Sequence, residues 1–353
     1  MTPEVPDLLF ASSANRVGSI HGERIEAIDM HTAGEPTRII LHAPSLPDGA
    51  DILARRRAAQ SAWDRYRRML MFEPRGHQDM YGALVLPPVS PQAHFGVLFL
   101  HNEGYSTMCG HAVIALGRAA VELGWVPAAE PRTAVLIDTP VGLVTAHVRV
   151  EGGRALATCF ENVPSFVTAL DQTIDVAGVG RVRYDIAYGG AFYAFVDAPS
   201  IGLALRPDNG RAIAAAGMSI KKAVMSASSL RHPEAADLSF LYGTIFTAPG
   251  ASEDVHSRHA CVFADGAIDR SPTGTGVSAR MALLDARQTL EGEGRVPIES
   301  LTGGVFTGSI KRRLEFHGMR AVIPTVEGVA WFTGRHTFLL EPDDPLGEGF
   351  LVR

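Results

Sequence analysis

Thr107-Met108-Cys109-Gly110-His111-Ala112 and Ser271-Pro272-Thr273-Gly274-Thr275-Gly276 stand at corresponding places in two look-alike segments of the chain. Each follows an apolar, strand-like run, Phe95-Gly96-Val97-Leu98-Phe99-Leu100 in one case and Cys261-Val262-Phe263-Ala264 in the other. Each leads into a stretch that is apolar on nearly every face, Ala112 to Leu123 and Val277 to Ala286. A helix apolar all round is a buried helix. Two strand–turn–helix units of this kind predict two related halves, each a buried helix wrapped by a strongly curved sheet. Both helix N-termini then point at a shared cleft. One half brings a thiol to the critical position and the other a hydroxyl.

The rest of the chain fits that plan. Short β-branched runs recur at 83–88, 95–100, 134–138, 143–150 and 155–161. They resume at 182–197, 239–247, 304–308, 312–317, 320–324 and 328–339, a spacing that predicts mostly antiparallel sheets. Helices are expected over 51–71 and 208–227, the latter with Asp208 or Asn209 as N-cap. The basic cluster Arg55, Arg56, Arg57, Arg65, Arg67 and Arg68 reads as a solvated face. The domain reading is a flexible tail over 1–20, a first half over 21–185 carrying Cys109, and a second half over 186–339 carrying Thr273. Residues 340–353 are expected to pack back on the first half.

Composition narrows the function classes. At 353 residues, 46% hydrophobic and 20% charged, the chain has material for two cores. A net charge of −6 speaks against nucleic-acid binding, which needs a basic face. The acidic start predicts no secretory leader, and Arg118 interrupts the best apolar stretch, so no membrane association is expected. Cys109, Cys159 and Cys261 are an odd number without a CxxC pair, which points to reduced thiols and a cytoplasmic protein. The 13 histidines show no metal-ligand spacing, and Gly178-Val179-Gly180 is a turn, not a dinucleotide fingerprint.

The paired turns themselves suggest chemistry. A thiol at a helix N-terminus sits in the positive end of the helix dipole, which favours the thiolate. The N–H groups of Gly110, His111, Gly274 and Thr275 are unpaired donors, and two such termini facing each other form a cage for one carboxylate. Fixed N–H dipoles in a dry cleft stabilise the negative charge that develops when an α-hydrogen is removed from an amino acid. Thr273 does not ionise at usable pH, so it serves as a substrate contact and not as a second base. Proton abstraction is then one-sided, which fits loss of a β-hydroxyl and not racemisation. The ordinary alternatives stay open: Cys109 as a structural thiol, Asp269 and Thr273 as caps, His111 contributing only its backbone, Cys159 and Cys261 as core, His31 and His77 as loop residues.

These segments resemble the proline racemase family. Its first signature is similar to Met108-Cys109-Gly110-His111, and its second to Asp269-Arg270-Ser271-Pro272-Thr273-Gly274-Thr275-Gly276. Supporting stretches are Asp29 to Pro36, Pro74-Arg75-Gly76-His77, Asp79-Met80-Tyr81-Gly82 and Tyr188 to Tyr193. The resemblance implies an α+β, diaminopimelate-epimerase-like fold without pyridoxal phosphate, metal or other cofactor. Racemases and epimerases of the family carry a cysteine in both signatures. The Cys/Thr pair here implies the branch that dehydrates trans-3-hydroxy-L-proline. In that reading Cys109 takes the α-proton and Thr273 faces the hydroxyl. Gly110, His111, Asp269, Gly274 and Thr275 surround the carboxylate and ring nitrogen of a cyclic imino acid. The rivals are a 4-hydroxyproline 2-epimerase, a proline racemase, and a non-catalytic imino-acid-binding protein. A homodimer is compatible with these features and demanded by none.

Overall fold

Parallel strands cannot be joined by a tight turn, so a chain that mixes hairpins with long helical stretches places the helices at its parallel crossovers. In the computed structural model, which describes residues 21–290 and 294–352, this happens four times in a repeated order. The hairpin of Glu23–Thr32 and Glu35–His42 is followed by the helical stretch 52–71, which returns the chain so that Tyr81–Leu86 runs parallel to Glu35–His42. Phe95–His101 comes back antiparallel, and the helix Gly110–Glu122 is the second crossover, leading to Arg132–Thr139. Gly142–Glu151 and Arg154–Glu161 continue as an antiparallel meander.

The second half repeats the order. Gly180–Tyr188 and Phe192–Asp197 form the hairpin, and the helix Gly210–Ala227 crosses over to Leu241–Pro249. Ser257–Phe263 returns, and the helix Gly274–Arg287 crosses over to Val296–Ser300. Val305–Phe316 and Met319–Gly328 complete the meander. The fold is α+β with two similar halves, as expected. The two parallel junctions in each half add to a pattern that strand spacing had shown only as antiparallel.

Each sheet closes on itself. Ala330–Leu340 lies antiparallel along Glu23–Thr32, while the end of Met319–Gly328 pairs with Arg154–Glu161. The other end of Met319–Gly328 pairs with the start of Ser165–Val176, which in turn pairs with Gly180–Tyr188. One strand thus belongs to both rings. On this pairing we propose that the halves divide near residue 164, earlier than 185, and that residues from 330 onward go with the first half. Phe350 supports this by exchanging backbone hydrogen bonds with Glu73 at 2.9 and 3.0 Å. The tail expected over 1–20 lies outside the described residues.

Inside the first ring every residue from Gly110 to Val121 is buried. Arg118 is accommodated by threading outward, where it donates to the Ala330 carbonyl and lies over the Trp331 ring at 5.0 Å. No helix among the described residues is long and apolar enough to cross a membrane. The basic cluster is only partly the solvated face expected. Arg56 and Arg67 are buried, donating to the carbonyls of Tyr105, His101 and Asn102, because strand ends beneath the helix leave carbonyls without ladder partners. Asn209 holds the N-cap position of its helix, yet its side chain donates to the Ala204 carbonyl at 2.9 Å and caps nothing.

Gly117 marks how tightly the first helix is held. A Cβ there would lie 2.9 Å from Thr158 Cγ2 and 3.2 Å from Ala146 Cβ. Gly117→Val is expected to destabilise by about 1–3 kcal/mol through overpacking, read as a lowered Tm in thermal denaturation.

Candidate active site

The short strands Gly104–Ser106 and Ala267–Ile268 turn the chain back from the preceding strand and deliver it to the two helix starts. The helices meet end to end. A Cβ placed on Gly110 would stand 2.6 Å from Gly274 Cα, and one on Gly274 would stand 2.7 Å from Gly110 Cα. Only glycine at both positions permits that contact. Among the described residues, the N–H groups of Gly110, His111, Gly274 and Thr275 make no hydrogen bond, so four backbone donors converge at one junction.

All seven residues singled out from the sequence line one small pocket at this junction: Cys109, Gly110, His111, Asp269, Thr273, Gly274 and Thr275. The rest of the wall is aromatic and apolar: Tyr81, Met108, Tyr193, Tyr242 and Phe263. These five carry no charge or nucleophile to flag them. Tyr81 and Tyr193 sat inside quoted motifs, whereas Tyr242 and Phe263 read only as strand residues. Tyr193 Oη lies 2.6 Å from Thr275 Oγ1, and Tyr242 stacks on Phe263 with centroids 5.5 Å apart. His31 and His77 do not line the pocket; His31 accepts from Gly34 N at 3.3 Å, and His77 Nδ1 lies 2.6 Å from the Gln78 carbonyl.

Cys109 is the N-cap of its helix, with an extended backbone at φ −145°. Its sulfur accepts from Ala112 N at 3.4 Å and lies 3.1 Å from His111 Nδ1. His111 is held by a T-shaped contact with Tyr81 at 4.7 Å, and its carbonyl accepts from Thr32 Oγ1 at 2.9 Å. The thiolate expected from the helix dipole is not the favoured form. Burial pushes the Cys109 thiol well above its ordinary value, and the Asp269 carboxyl adds to the rise. The Ala112 N–H and the Tyr81 hydroxyl act the other way without offsetting it. Desolvation outweighs a dipole spread over one helix turn. Burial likewise lowers His111 to about 4, so imidazole and thiol face each other as neutral partners.

Thr273 occupies the corresponding place on the second helix but in a different conformation, at φ 67° and ψ 96°. Left-handed backbone is costly for a β-branched residue. Its hydroxyl does not cap the helix; it donates to Asp269 Oδ2 at 2.8 Å. The other carboxylate oxygen, Oδ1, accepts from Ser271 N at 2.7 Å. Asp269 therefore combines the ordinary turn role with a grip on Thr273. Asn162 ties the adjoining turn down, donating to the Gly189 carbonyl at 2.7 Å and to Ser278 Oγ at 2.8 Å.

The model of the proline racemase family matches residues 27–351. The chain belongs to the proline racemase family. It is 48% identical to the trans-3-hydroxy-L-proline dehydratase of Homo sapiens, over 93% of this chain and 95% of that one. It is 46% identical to the protein of that name from Colwellia psychrerythraea, over 93% of both chains. A solved hydroxyproline epimerase of Agrobacterium vitis, with trans-4-hydroxy-L-proline bound, superposes with a TM-score of 0.87. That pair is 30% identical over 93% of this chain and 96% of the other. The family membership and this superposition make the fold diaminopimelate-epimerase-like, with the pocket between the halves.

The glycine junction is open to test. Gly274→Ala is expected to force the helix ends apart, and a displacement of about 1 Å in a positioned site costs on the order of 100-fold in kcat/KM. Steady-state kinetics and a far-UV spectrum taken together would read that loss on a chain that still folds.

Proposed function

We propose that this chain is a trans-3-hydroxy-L-proline dehydratase. The observation that carries the reading is the asymmetry of the pocket: a thiol with a histidine partner on one helix end, and on the other a hydroxyl donated to a carboxylate. A racemase needs a base on each face of the α-carbon. Thr273 supplies none on its face. The similarity to proteins bearing the dehydratase name over nearly the whole chain supports the same reading.

In this proposal the substrate carboxylate accepts from the converging N–H groups of Gly110, His111, Gly274 and Thr275. Asp269 faces the ring ammonium. That positive charge favours the thiolate, which burial alone holds protonated. Cys109 then removes the α-hydrogen, with the N–H groups stabilising the charge that builds on the carboxylate. The 3-hydroxyl, which in the trans isomer shares a ring face with the α-hydrogen, departs as water by taking back the proton from Cys109 and restoring the thiolate, while Thr273 closes the opposite face. The enamine left behind tautomerises to Δ1-pyrroline-2-carboxylate. His111, 3.1 Å from the sulfur, is placed to exchange the proton that Cys109 has taken. Three free cysteines among the described residues support a reducing, cytoplasmic setting.

The deciding experiment incubates purified protein with trans-3-hydroxy-L-proline and assays Δ1-pyrroline-2-carboxylate. Product is expected from wild type and not from Cys109→Ser; near-normal turnover by that variant would refute Cys109 as the base. Because the thiol is raised, kcat/KM for the wild type is expected to climb as pH increases above neutrality, following the thiolate fraction. Thr273→Cys, which restores a second thiol, is expected to gain measurable epimerisation of proline or 4-hydroxyproline, followed by optical rotation.

A further inference from the structure

Glu35 opens the second strand of the first half and has no exposed surface. It lies outside the pocket lining, yet it reaches across to the second half. Its Oε2 accepts from Arg270 N at 2.6 Å, immediately beside Asp269. Its other oxygen, Oε1, is fully buried and makes no hydrogen bond among the described residues. The carboxylates of Asp269 and Asp79 face it, as do the thiols of Cys109 and Cys261. The guanidinium of Arg270 is nearby but points to Asp79, 2.8 Å away, and to the Ile268 carbonyl.

An ionised carboxylate accepting one hydrogen bond in a dry interior, with a second carboxylate close by, is strongly disfavoured. A protonated carboxyl at the same place costs far less. It leaves no second carboxylate charge in the dry interior beside the pocket. Both halves feel the arrangement: the Thr302 hydroxyl donates to the Arg270 carbonyl at 2.8 Å, and the turn ending in Glu35 packs against the same segment.

We infer that Glu35 is a positioning residue that works as a neutral carboxylic acid. It clasps the Arg270 backbone and so fixes the turn that carries Asp269 and Thr273. By staying uncharged it sets no second negative charge beside the Asp269 side chain and spares Cys109 an opposing charge. This goes beyond the dehydratase reading, and only its kinetic test rests on that reading.

Two measurements decide it. Infrared difference spectra of wild type against Glu35→Gln at neutral pH should show the wild type carrying one additional protonated-carboxyl band. Loss of a carboxylate band in the variant instead would overturn the inference, whether or not the protein turns over any substrate. In kinetics, Glu35→Gln, neutral and still able to accept from Arg270 N, should stay within about threefold of wild type in kcat and KM, whereas Glu35→Ala should lose about tenfold or more in kcat/KM. A Gln variant as poor as the Ala variant would mean that the carboxyl proton itself is moved, and the positioning role would fall. A wild type inactive on trans-3-hydroxy-L-proline that still shows the protonated band would fail the functional reading alone.

Discussion

Everything at the centre of this molecule depends on two helices being allowed to touch at their N-termini. The dipoles of facing N-termini repel, and their free N–H groups need partners, so the contact is not stable for its own sake. It is imposed from outside, by two closed sheets that hold each helix on all sides and by glycines where the backbones meet. The repulsion is stored in the fold and is relieved by any anion that enters. A carboxylate is the complement of that junction in both charge and shape.

The same enclosure sets the protonation states. Dry surroundings raise the thiol of Cys109 and lower the imidazole of His111, so a pair that would exchange a proton easily in water is held neutral. Charge then becomes something the ligand brings. Thr273 is fastened to Asp269 in strained backbone, which fixes the direction of its hydroxyl before any ligand arrives. A β-branched residue at positive φ is rarely kept without a use for the geometry.

Much of this was legible in the residues because the chain repeats itself. The apolar helices after Cys109 and Thr273 announced their burial, and the glycines beside them announced close approach. All seven singled-out residues arrive at one pocket. Other features could not be read. The parallel junctions depend on which strands meet, and spacing is silent on partners. The strand Ser165–Val176 was missed because half of its residues are polar and most of it is exposed or half-buried, so it shows little apolar alternation. Tyr242 and Phe263 look like any strand aromatics until the second half is folded against the first. The state of Cys109 was misjudged for a different reason. A helix end is visible in sequence, whereas the depth at which it lies, and the Asp269 carboxyl folded close to it, are not.

The strand Met319–Gly328 takes part in both rings, and Ala330–Leu340 follows it directly into the first. This has a consequence for synthesis on the ribosome. The strands of the second ring, from Ser165 to Gly328, are contiguous in the chain and can close as soon as they emerge. The first ring begins earlier but must wait, with Glu23–Thr32 an open edge along one side, until its last strand has been made. The half that is translated first is completed last, and the thiol it carries is enclosed only at that final step.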